Sequence, residues 1–64
     1  MRANGKDLTL DTAITLEKFL LNHDYPISRV VVERNGQIIT RDQFATTVLS
    51  NDDRLEIVHF VGGG

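Results

Sequence analysis

Leu55-Glu56-Ile57-Val58-His59-Phe60-Val61-Gly62-Gly63-Gly64 closes the sequence. Its first seven residues alternate as a β-strand does, with successive side chains on opposite faces. Leu55, Ile57 and His59 fall on one face; Glu56, Val58 and Phe60 fall on the other. A core has to be built somewhere, so Leu55 and Ile57 are expected to face it. Val58 and Phe60 are then left on an open face. Three glycines follow the strand. Glycine has the most conformational entropy to lose, so Gly62, Gly63 and Gly64 are expected to form a flexible tail. Without side chains, such a tail is narrow enough to thread a channel in a partner. Its one chemically distinct group is the α-carboxylate of Gly64.

Residues 29–40 read as a hairpin. Val30-Val31-Val32 is β-branched and suits a well-buried strand. Asn35-Gly36 supplies the positive φ angles of a type I′ turn, and Ile38-Ile39-Thr40 returns. Arg29 and Glu33 should face solvent, which puts Val31 on the open face and Val30 and Val32 on the core face. Val31, Val58, Phe60 and Val61 are therefore the candidate partner interface, an apolar patch at the root of the tail.

Residues 1–10 repeat the hairpin signal at Asn4-Gly5. Between the hairpins, residues 15–23 read as a helix. Thr15 suits the N-cap, Ile14 and Phe19 the hydrophobic staple, and Leu16, Phe19 and Leu20 make one stripe that Leu21 widens. Pro26 closes the element. Phe44 is expected to plug a polar loop into the core, Thr47-Val48-Leu49 to form a short edge strand, and Asn51-Asp52-Asp53 a solvated turn. One helix cannot cover two sheets. The economical fold is α+β, a single mixed sheet of four to five strands with the helix across one face, and residues 1–64 form one domain.

Composition excludes more than it suggests. A chain of 64 residues buries only about 60% of its unfolded surface, which leaves little room for both a core and a catalytic cleft. There is no cysteine, hence no disulfide and no thiolate metal site. The net charge is −2, from 7 basic and 9 acidic residues mixed along the chain; no basic cluster points to nucleic acid. No apolar run approaches the roughly 18 residues of a membrane span, and residues 1–5 lack the apolar core of a signal peptide. A cytoplasmic location is the expectation. His23 and His59 have no metal-ligand spacing. Asp42, Asp52, Asp53 and Glu56 lack the pattern of a calcium loop. Ser28 and Ser50 sit in no nucleophile elbow. No catalytic side chain, metal or bound cofactor is expected.

A ββαββ pattern of this length ending in Gly-Gly resembles the β-grasp sulfur carriers, relatives of ubiquitin, and within them the ThiS family of thiamin thiazole synthesis. The resemblance rests on Val30-Val31-Val32-Glu33-Arg34-Asn35-Gly36, on Ile38-Ile39, and on Asp53-Arg54 running into the closing stretch quoted above. It implies that a ThiF-like enzyme uses ATP to adenylate the Gly64 carboxylate. Sulfur from a cysteine desulfurase or a related donor then replaces the AMP, and a ThiG-like thiazole synthase consumes the resulting thiocarboxylate. The nearest alternative in the same class is a MoaD-like small subunit of molybdopterin synthase; alternatives of other classes are a ubiquitin-like modifier joined to lysines through Gly64 and an interaction module with an inert tail.

Overall fold

The structure is a computed structural model and describes residues 1–61; the Gly62–Gly64 tail lies outside the described residues. The chain opens with strands β1 (Arg2–Ala3) and β2 (Lys6–Asp7), joined at Asn4-Gly5. It continues through β3 (Ile14–Thr15) into the helix α1 (Leu16–Asn22). The second hairpin is β4 (Val30–Arg34) and β5 (Gln37–Ile39), and β6 (Val48–Leu49) and β7 (Arg54–His59) complete it. Both hairpin turns use the left-handed region: φ is 51° and 80° at Asn4 and Gly5, and 52° and 86° at Asn35 and Gly36. Asparagine tolerates that region and glycine has no Cβ to oppose it, which is the type I′ requirement.

The helix starts and stops as its flanking residues dictate. Thr15 Oγ1 accepts the Lys18 amide at 3.2 Å. At the other end Asp24 takes φ 62°; its amide donates to Leu21 O, and the Tyr25 amide to Leu20 O. That pair of bonds is a Schellman closure with aspartate in the glycine position. Leu16, Phe19 and Leu20 are buried. Leu21 does not widen the stripe; it is exposed, because a further rotation of roughly 100° carries it off the buried face.

Five strands form one mixed sheet in the order β2-β1-β7-β4-β5. The first and last strands are parallel neighbours at its centre, with Ala3 opposite Leu55. β7 then pairs antiparallel with β4, Val32 opposite Ile57 and Val31 opposite Val58. The helix covers one face, and Leu16, Leu20, Val32, Phe44, Leu49 and Leu55 are the most deeply enclosed side chains between them. This is the β-grasp architecture.

The expected edge strand at 47–49 belongs elsewhere. β6 pairs with β3 in a separate two-stranded ladder, Ile14 opposite Leu49. The cause is local. A short 3₁₀ turn at Arg41–Gln43 drops Phe44 into the core, and the first helical amides are claimed by this loop: Leu16 N–H donates to Thr47 O and Glu17 N–H to Phe44 O. Orphan donors at the helix start thus draw β6 to the helix rather than to the sheet edge. β7 also ends earlier than the alternation suggests, at His59, because β4 begins at Val30; one further bond, Phe60 N–H to Arg29 O at 3.0 Å, continues the pairing.

Candidate functional site

The candidate site is built on β7, which carries the root of the tail. Its alternation has the predicted sense. Leu55 and Ile57 are buried, with Ile57 7% exposed, whereas Val58 is 60% and Phe60 43% exposed. Across the ladder Val30 and Val32 are buried and Val31 is exposed. Val31 and Val58 are direct cross-strand partners, and Phe60 follows two residues on along the same face. Val61 is also exposed. The four interface candidates are therefore accessible, and three of them share the face away from the helix. Gly62, Gly63 and Gly64 lie outside the described residues.

The patch has a member that the sequence reading omitted. Ile38 is exposed and sits opposite Glu33. The signal was present: a two-residue turn at Asn35-Gly36 fixes the register, so Ile38 shares the face of Glu33, and hence of Val31. The open face is apolar towards the tail root and charged towards the other end, where Glu33 pairs with Glu56 and Arg2 with Arg54.

Two asparagines hold β7 in place beyond their work in turns. Past Ala3 the parallel partner strand is finished, yet Ile57 still has its peptide groups directed to that side. The Asn4 carboxamide takes them both. Its Oδ1 accepts the Ile57 N–H at 2.7 Å and its Nδ2 donates to Ile57 O at 3.1 Å. The side chain thus adds one rung to the β1–β7 ladder. Asn4 Nδ2 also lies 3.4 Å from the Tyr25 hydroxyl, and the Tyr25 ring meets His59 edge-on at 6.5 Å. At the other end of β7, Asn35 Oδ1 accepts the Arg54 N–H at 2.9 Å.

Asp53 corrects the expectation of a solvated turn, since it is 5% exposed. Its Oδ1 accepts from Asn35 Nδ2 and its Oδ2 from the Ser50 amide, both at 2.9 Å. Arg34 Nε lies 3.1 Å from Oδ2; its N–H is not aimed well enough for a hydrogen bond, so that contact is an ion pair. Burial pushes the Asp53 carboxyl up, but the Ser50 amide, Asn35 and Arg34 together outweigh it and hold the group below its ordinary value. The residue is a joint between the second hairpin and the start of β7. The sequence offered Asn-Asp-Asp as a turn signal and nothing to show which aspartate turned inward.

The His23 ring packs against Phe19, tilted by 42° with centroids 4.2 Å apart, and His59 meets Tyr25 edge-on. Among the described residues no group of three or more His, Cys, Asp or Glu could hold a metal ion, and no described helix is long and apolar enough to cross a membrane. What the geometry presents is a small β-grasp domain with an accessible apolar face on the strand that precedes Gly62-Gly63-Gly64 in the sequence.

Comparison with known proteins gives that class its family. The ThiS family profile matches residues 1–64, and the chain belongs to the ThiS family. It is 39% identical to the sulfur carrier protein ThiS of Bacillus subtilis, over all of this chain and 98% of that one. A crystal structure of the thiamine biosynthesis protein ThiS from Geobacter metallireducens superposes with a TM-score of 0.81 at 30% identity, covering 98% of this chain and 96% of the other. The chain is also 38% identical, over 95% of its length, to a thiazole synthase of Magnetococcus marinus, of which it spans only 19%. A thiazole synthase of Paramagnetospirillum magneticum matches at 34%, again over 19% of its length.

Proposed function

We propose that this chain is a sulfur carrier of thiamine biosynthesis, and that the Gly64 carboxylate is the group that carries sulfur. The observation that bears most weight is the match to the ThiS family over residues 1–64, which includes the glycine end. The carrier is a substrate of other enzymes and not itself a catalyst. A carboxylate is a poor electrophile until one oxygen becomes a good leaving group. A ThiF-like enzyme supplies that by spending ATP to form the Gly64 acyl-adenylate and pyrophosphate. A persulfide on a cysteine desulfurase or a related donor attacks the unhindered glycine carbonyl through its outer sulfur and expels AMP; a thiol then attacks the inner sulfur of the acyl disulfide, which releases the Gly64 thiocarboxylate and leaves a disulfide on the donor. The thiocarboxylate is then consumed by a ThiG-like thiazole synthase. The matches to two thiazole synthases support this route over the molybdopterin one.

Val31, Ile38, Val58, Phe60 and Val61 form the docking surface in this reading, and Gly62–Gly64 thread the partner's channel. ATP is used by the activating enzyme and is not bound here; the pathway is cytoplasmic. The test is ATP–pyrophosphate exchange by a ThiF-like enzyme, with the full chain and with a form lacking Gly63 and Gly64. Exchange should require the full chain, while both forms melt at the same temperature. Exchange with the truncated form would remove Gly64 as the site.

A further inference from the structure

Among the described residues, the end of β7 carries an edge that no other strand covers. In the β4–β7 ladder the hydrogen-bonded pairs are fixed by Phe60 N–H to Arg29 O and Asn35 N–H to Arg54 O. Val30 and His59, one residue out of that phase, form a non-bonded pair, so both peptide groups of His59 point away from β4. On that other side β1 ends at Ala3, and the Asn4 carboxamide serves Ile57 and no residue beyond it. Among the described residues nothing bonds the His59 N–H or C=O. The first hairpin stops short, and a notch lined by Asn4, Lys6, Tyr25 and Ile57 lies beside the exposed edge.

What must cover this edge follows from chain length. Three residues separate Val61 from the Gly64 carboxylate, a reach of at most about 10–11 Å when extended. A protein acting on that carboxylate within its own interior has to bring its surface over the end of β7. Doing so takes the His59 peptide groups out of water, and a buried unpaired N–H or C=O is costly. The partner therefore has to supply a donor and an acceptor side by side, which is what an extended backbone segment offers.

Building on the proposed carrier function, we infer that the thiazole synthase-type partner lays an extended segment along the His59 edge of β7, pairing with its N–H and C=O. Strand addition there aligns the last residues of β7 with the partner and sets the direction in which the tail enters. The contact is separate from the apolar face of Val31, Val58 and Phe60, because it lies at the sheet edge and uses backbone.

The test is a full-length chain assembled by chemical ligation, with the Val58–His59 peptide bond replaced by an ester. The His59 N–H is then lost while every side chain stays. The ester also makes the Val58 carbonyl a weaker acceptor from Val31, so a second ester at Phe60, which removes the bond to Arg29, serves as the reference for damage to the fold. Titrated against the purified ThiG-type synthase, the His59 ester should bind about 2- to 12-fold more weakly, the range for one net hydrogen bond, and melt above the Phe60 ester. In the unmodified chain, amide exchange at His59 should slow on binding. Unchanged affinity of the His59 ester, or unchanged exchange in the complex, overturns the inference while leaving the carrier function standing. Exchange at His59 that slows with the carrier's own concentration would assign the edge to a second copy and overturn it too. No binding of the unmodified chain would instead remove the proposed partner itself.

Discussion

Replacing Asn4 by glycine should loosen β7 more than any change at an exposed turn of a small domain normally does. Glycine keeps the left-handed backbone at φ 51°, so the turn itself survives. What is lost are the two bonds to Ile57, at 2.7 and 3.1 Å. At about 0.5–1.5 kcal/mol net each they amount to about 1–3 kcal/mol, and glycine's greater freedom when unfolded adds roughly 0.4–1. A domain of this size has roughly 3–10 kcal/mol in all, so the loss is a large share. Each kcal/mol should lower the melting temperature by roughly 4–8 °C. Urea unfolding should show a lower midpoint with an unchanged slope, and the Ile57 amide should exchange faster while Val58, bonded to β4, stays protected. Asn4→Asp keeps the acceptor for the Ile57 N–H but sets a carboxylate against the Ile57 carbonyl, and should fall between. A glycine variant with the wild-type midpoint and a still-protected Ile57 amide would refute the idea that this side chain acts as a rung of the ladder.

Phe60→Asp should fold and yet bind both the activating enzyme and the synthase at least about tenfold more weakly, whereas Ile57→Asp places a carboxylate in the core and should abolish folding; circular dichroism and titration against each partner check the pair, and the opposite pattern would invert the face. Asp53→Asn should destabilise by about 1–3 kcal/mol, less than for a fully buried pair because Arg34 remains one-third exposed. Since the folded Asp53 carboxyl is held low, its contribution is complete above the ordinary carboxylate value and fades as pH drops through about 4 and below. Acid titration of stability should be shallower in Asp53→Asn, and identical curves would contradict the joint described here. Gly63→Val, which adds a β-branched side chain to the tail, should slow adenylation sharply at unchanged melting temperature; adenylation at the wild-type rate would argue against a narrow channel.

Much of this molecule could be read before its structure because local and global signals agree. Asn-Gly turns set the two hairpins, a two-residue period sorted Val30 from Val31 and Ile57 from Val58, and Thr15 and Pro26 bracketed the helix. Most of the readings that failed concern side chains whose partners are distant in sequence. Nothing near Asp53 reveals that Arg34 and Asn35 will meet it, and nothing near Val48 reveals that the helix amides will claim its loop. Asn4 was legible as a turn residue but not as a bridge to Ile57, 53 positions away. Leu21 was misplaced by treating every leucine as part of the stripe. The glycine end was the clearest functional signal, since it needs no tertiary partner to be recognised.

Denaturing mass spectrometry of the carrier, isolated from cells with its pathway intact, tests the central claim most directly. The account predicts a fraction of molecules in which one oxygen is replaced by sulfur, with fragmentation placing the change on Gly64, and loss of that fraction when the activating enzyme is deleted. A terminus that stays a plain carboxylate in every molecule, or one found only in amide linkage to lysines of other proteins, would contradict it.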